Sequence, residues 1–148
     1  MEKASLLSLT NNRKTFAGNP MTEKLSPFTP QHKNLKAILN DHKLASLGDA
    51  YVNFVYSLAL SKKKGEATGT KVSSHILSQA LKEAALRELL PKGTDRHTLG
   101  DAAEALIVCA WLQEAITIEE SVTVLLSSDS ATKAFSTLIL LAKERLNL

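Results

Sequence analysis

A single cysteine, Cys109, stands in the 148 residues of this chain. It cannot close an internal disulfide, which excludes a stapled secreted scaffold and predicts a reducing, cytoplasmic compartment. A four-cysteine zinc site is excluded with it. The four histidines, His32, His42, His75 and His97, have no spacing to one another or to Cys109 that completes a zinc motif. Long apolar runs are also missing. The best candidate, 44–60, is interrupted by Ser46, Asp49, Asn53 and Ser57 and falls short of the ~18 residues a membrane helix needs, so no membrane association is expected. Aromatic residues make up only 5%, too few for the stacking platforms that hold single-stranded nucleic acid. What remains, 44% hydrophobic and 22% charged residues, is the balance of one globular domain.

Charge of one sign is scarce overall but local where it occurs. The net charge is +3, with seven Lys/Arg against three acids in residues 1–43 and eleven against twelve in 44–148. A second basic cluster, Lys62, Lys63 and Lys64 with Lys71, reads as a solvated loop or as a face for a polyanion. Residues 1–20 lack the apolar stretch of a secretory signal, and their Asn-Asn and Gly-Asn-Pro clusters read as loop. The organisation expected is a flexible N-terminal segment over 1–21 and one domain over 22–148, entered past Pro27 and Pro30.

Hydrophobic spacing predicts helix throughout that domain. Leu35, Ile38 and Leu39 begin it, and Leu47, Ala50, Tyr51, Phe54, Val55 and Leu58 follow at three-and-four intervals. Ser73, Ile76, Leu77, Ala80, Leu81 and Ala84 continue the pattern in a helix expected to run to Leu90 and stop at Pro91. Leu99, Ala102, Ala103, Leu106, Ile107 and Ala110 mark the next. Thr117 with Glu120 is a capping box for a short helix to about Leu126, and residues 127–130 cap a last one carrying Ala134, Phe135, Leu138, Leu141 and Ala142. Val122-Thr123-Val124 has strand propensity but no partner segment, so the expected fold is all-α. Tyr51, Phe54, Trp111 and Phe135 fall at core spacings, and Cys109 reads as a small buried hydrophobe.

Two of these helices are chemically odd. Over 44–60 the only charge is Asp49, and over 98–112 the only charges are Asp101 and Glu104. A helix apolar on nearly every side belongs in the interior, where an ionised carboxylate is costly unless paired, hydrogen-bonded or bound to metal. The local sequence repeats, Leu47-Gly48-Asp49-Ala50 against Leu99-Gly100-Asp101-Ala102. Glycine within a helix costs roughly 1 kcal/mol relative to alanine, which suggests that both glycines permit close helix approach. Asp101 and Glu104, three apart, aim from one face. Convergence of the three acids calls for a hard divalent ion, with magnesium the best fit. The structural alternative gives each acid its own partner, such as Arg87, Arg96 or Lys43, or a solvated helix edge.

The stretch Leu44-Ala-Ser-Leu-Gly-Asp-Ala-Tyr-Val-Asn-Phe, followed some fifty residues on by Leu99-Gly-Asp-Ala-Ala-Glu-Ala-Leu-Ile, resembles the two signature helices of the ribonuclease III catalytic domain. The resemblance covers roughly residues 32–126. Its wording and the brevity of the chain are most similar to archaeal ribonuclease III-like and mini-III-type members, which have no double-stranded-RNA-binding domain. It implies an all-helical, homodimeric endonuclease for double-stranded RNA, using Mg2+ (or Mn2+ in its place) to activate water for in-line attack and leaving 5′-phosphate ends in RNA processing. Asp49, Asp101 and Glu104 match three of the family's four metal-binding carboxylates. Ala45 occupies the position of the fourth, usually glutamate, and His42 stands where another bulky acid is usual. The resemblance also admits a catalytically silent, RNA-binding or ribosome-associated relative. Asn53, one turn after Asp49, is a candidate to orient a ligand, and Lys62, Lys63, Lys64 and Lys71 are candidate RNA contacts.

Overall fold

Each helix begins on a side chain that satisfies amides left free by the first turn. The computed structural model describes residues 30–148, and the stretch 1–29, including the segment read as flexible and Pro27, lies outside them. Among the described residues the chain is helical, with no strand, as the spacing predicts. Asn34 caps α1 (Leu35–Leu39), Asp41 caps α2 (His42–Lys64), Ser73 caps α3 (Ser74–Glu83) and Asp95 caps α4 (Arg96–Leu112). Thr117 and Glu120 form the expected capping box on α5 (Ile118–Leu125), and Ser130 caps α6 (Ala131–Leu146). Val122-Thr123-Val124 is therefore helical.

The core is built around α4, of which almost every residue from Leu99 to Leu112 is buried. It packs against α1, α2, α3 and α6, while α5 bridges α2 and α6. Cys109 lies inside it, 2% exposed, and burial pushes its thiol up to about 11, so it is a core hydrophobe. Phe135 is fully buried and meets the Tyr56 ring at 5.5 Å between centroids. Tyr51 stacks obliquely on Trp111 at 5.3 Å and shares a hydrogen bond with the Ser121 hydroxyl at 3.2 Å.

Three expectations need correction. The helix expected over 73–90 ends at Glu83. Ala85 takes a left-handed φ of 60°, its amide bonds to Lys82 O, and the Leu86 amide reaches back to Leu81 O, the hydrogen-bond pattern of a Schellman stop. That stop turns Leu86 and Leu90 into the core on either side of a short 3-10 turn, Arg87–Leu89, which a continuing helix could not do. Second, α2 is interior on one face only. Leu44, Ala45, Gly48, Tyr51, Val52, Val55 and Ala59 are buried, but Leu47 and Phe54 are 40% and 54% exposed, so Phe54 is not a core residue. Third, Lys62, Lys63 and Lys64 are not in a loop. They form the last turn of α2, where cations complement the helix dipole, before Gly65 ends the helix at φ 77°.

Candidate active site

The second and fourth helices touch because one residue lacks a side chain. A Cβ built on Gly48 would lie 2.2 Å from the carbonyl oxygen of Glu104, so only glycine lets α2 pass this close to the α4 backbone. The repeat in the sequence is not matched by a repeat in role. A Cβ on Gly100 would find ordinary contacts at 3.6 Å with Ser74 and Leu77, so close approach explains Gly48 and not Gly100.

That contact sets three acids around one cleft of about 650 Å³, lined by Asp49 and Ala45 from α2, Asp101 and Glu104 from α4, and Lys71, Ser73 and Ser74 from the segment entering α3. Asp49 is exposed, Asp101 half-buried and Glu104 only 6% exposed. Burial pushes the Glu104 carboxyl up to about 8, helped by its hydrogen bond to Asp49 and by the charges of Asp49 and Asp101, while Lys71 opposes the shift. The shift favours the protonated carboxyl, which can donate to Asp49. Burial also raises Asp101, with His42 and His97 pulling the other way and Asp49 adding to the rise. Ala45 is buried and lines the same cleft from the helix that carries Asp49.

The structural alternative holds in part: Asp49 lies exposed at a solvated edge of α2, whereas among the described residues Arg87, Arg96 and Lys43 form no ion pair with any of the three acids. The Arg87 guanidinium donates to the carbonyls of Leu90 and Pro91. Among the described residues the ion pairs are His32 with Asp41, Lys63 with Asp129 and Arg145 with Glu120, none of which involves the three acids, Lys43 or Arg96. The donor chemistry, hard carboxylate oxygens on one wall, fits a magnesium-class ion. As the side chains stand, no three His, Cys, Asp or Glu among the described residues are in ligating geometry. A magnesium ion keeps several of its waters, so one or two direct carboxylates suffice and the others act through solvent.

Asn53 does two jobs at once. Its Nδ2 donates to Asp49 Oδ1 at 3.0 Å, and its Oδ1 accepts the Val72 amide at 2.8 Å. Four and eight residues on, Ser57 and Ser61 repeat the arrangement: each hydroxyl accepts an amide, from Thr70 and Thr68, and donates to the same residue's carbonyl. This ladder fastens the extended segment 68–72 along α2 and delivers Lys71 to the cleft. Neither serine was singled out from the sequence, although Asn53, Ser57 and Ser61 recur every fourth residue on an otherwise apolar helix. The basic cluster is thereby divided. Lys71 lines the cleft, whereas Lys62 to Lys64 lie roughly 20 Å along the α2 axis from Asp49. His42 and His97 also line the cleft, which the spacing of the histidines did not show. Of the others, His32 bonds Asp41 at 2.8 Å and His75 is exposed.

A family model described as Ribonuclease III matches residues 42–145, a span that contains all three acids and every helix from α2 through nearly all of α6. No curated protein matches the chain. No helix among the described residues is long and apolar enough to cross a membrane.

Two outcomes follow from the packing and the charges. Gly48→Ala is expected to destabilise the protein by about 3 kcal/mol through overpacking, while Gly100→Ala is neutral or stabilising by up to about 1 kcal/mol; chemical denaturation of the two variants checks the contrast. The Glu104 carboxyl has a folded-state value near 8 against 4.5 in the open chain. The fold therefore binds that proton more tightly, and stability falls as pH rises from about 4.5 through 8. In chelator at pH 9, Glu104→Gln should be more stable than the wild type by roughly 1–3 kcal/mol and the gap should close at pH 5, as read from melts at both pH values.

Proposed function

The chain belongs to the ribonuclease III family, and we propose that it is a divalent-metal-dependent endoribonuclease that cleaves double-stranded RNA to 5′-phosphate ends, acting as a homodimer in the cytoplasm. The observation that carries the reading is the convergence of Asp49, Asp101 and the buried Glu104 on one open cleft that Lys71 also lines, with no arginine or lysine ion pair to neutralise them among the described residues. A carboxyl buried to 6% exposure and raised to about 8 is poised to exchange its proton for a cation.

Asp49, Asp101 and Glu104 would hold the ion, magnesium or manganese. When bound, such an ion supplies positive charge against a phosphodiester and makes water a competent nucleophile at neutral pH. The chain's own residues supply position. Asn53 holds Asp49 in orientation through a bond that also anchors Val72, so the acid and the lysine-bearing segment cannot drift apart. Lys71 offsets phosphate charge at the cleft. Lys62 and Lys64, with Lys63 partly engaged by Asp129 at 3.2 Å, suit backbone phosphates farther along a duplex. Ala45 leaves three carboxylates where the family pattern has four, which lowers affinity for the ion without removing its site.

The homodimer rests on α2. Leu47, Ala50 and Phe54 are exposed at spacings of three and four, an apolar stripe beside the cleft-lining face of the same helix. One chain presents one cleft, and a duplex has two strands. A second copy packed on this stripe by two-fold symmetry covers the apolar surface and brings two clefts to one substrate.

Cleavage of a long RNA duplex with magnesium or manganese tests the site: Asp49→Asn, Asp101→Asn and Glu104→Gln should each lower turnover by at least about a hundredfold with unchanged helix content. Undiminished cleavage by two of the three would overturn the assignment, and duplex binding without cleavage by the wild type would mark a silent relative. Sedimentation tests the assembly. The wild type should be a dimer at micromolar concentration and Phe54→Glu a folded monomer; a monomeric wild type would refute the pairing.

A further inference from the structure

Two imidazoles in the cleft have no part in the reading above. His42 opens α2, His97 lies in the first turn of α4, and both line the cleft with exposed side chains. On α4, His97 stands four residues before Asp101 and seven before Glu104, and on α2, His42 stands seven before Asp49. Intervals of four and seven keep side chains on one helix face, so each ring sits over the carboxylates of its own helix. The two rings line the same cleft from different helices, and both favour the charged form of the Asp101 carboxyl. Among the described residues neither is held by an ion pair, unlike His32, which is tied to Asp41.

The chemistry of a nitrogen donor here differs from that of the carboxylates. Hard oxygen ligands accept magnesium and manganese with little distinction, whereas imidazole is a ligand for first-row transition ions and a poor one for magnesium. Two donors four residues apart on one helix, as His97 and Asp101 are, have a spacing that chelates such ions. Ala45, a methyl group where an acid would add a further hard oxygen, leaves space rather than a competing ligand beside Asp49. Resting on the metal-site reading given above, we infer that His42 and His97 add imidazole nitrogen to the carboxylates of this cleft, so that it selects a divalent transition ion of the manganese class over magnesium.

Both rings are exposed, so their replacement leaves the core untouched, and the full chain is used throughout. Manganese bound to the protein is measured by pulsed electron paramagnetic resonance, and its preference over magnesium by competition against the free-manganese signal. The wild type should show nitrogen modulation from a ligating imidazole. The His42→Gln/His97→Gln protein should lose it, and its preference for manganese over magnesium should fall on the order of tenfold. Manganese that binds without nitrogen modulation, with a preference the double variant does not change, overturns this inference and leaves the carboxylate site standing. A wild type that retains no manganese, or retains it equally after Asp49→Asn with Asp101→Asn, overturns the carboxylate reading itself.

Discussion

Where α2 crosses α4, the backbone carbonyl of Glu104 occupies the space a methyl group on Gly48 would need, and the rest of the cleft depends on that contact. It sets the distance between the two helices, and through it the distance between Asp49 on one and the pair Asp101 and Glu104 on the other. It also buries Glu104 with an acid for its nearest polar neighbour. The result is electrostatically tense without a cation. Repulsion and desolvation together favour a proton on Glu104, and any group that brings positive charge into the cleft relieves both. Stability is thus sacrificed at the point where charge is to be used, in a helix otherwise packed on all sides by apolar neighbours.

Around that crossing, polar and apolar surfaces of α2 divide its circumference. One face packs on α4 through Leu44, Tyr51, Val52 and Val55. The next carries Asp49 with Asn53, Ser57 and Ser61, and the last three take up backbone amides, the serines also carbonyls, of the segment 68–72 much as a neighbouring strand would. A third carries Leu47, Ala50 and Phe54 to the surface. Because these faces share one rigid helix, the acid, the lysine-bearing segment and the apolar stripe stand in a constant geometry, and a partner copy on the stripe would hold a second cleft in register with the first.

The all-helical fold, the capping residues and the three acids were legible in the chain because each rests on local pattern. Helical spacing marks buried faces, Thr117 with Glu120 and the serines ending at Ser130 declare helix starts, and isolated carboxylates in apolar helices stand out against their surroundings. Where that logic failed, a non-local demand outweighed it. The helix through Ala85 stops because Leu86 and Leu90 find core positions a straight helix cannot reach. Phe54 has core spacing yet lies outside, since periodicity gives a face and cannot say whether this chain or another one covers it.

By itself, then, the sequence determined the helices, their order, the family pattern and the identity of the acids, all of which depend on residues within a few turns of one another. Tertiary structure decided the rest. Two identical Leu-Gly-Asp-Ala stretches acquired different roles because only Gly48 meets a crossing backbone. Four lysines that read as one basic cluster were separated, Lys71 to the cleft and Lys62 to Lys64 to the far end of α2, by side-chain hydrogen bonds over seven to nineteen residues of chain. Two histidines with no motif between them came to the same cleft from different helices. Distances across helices follow from packing, and packing is set by shapes on elements far apart in the chain, which no local spacing encodes.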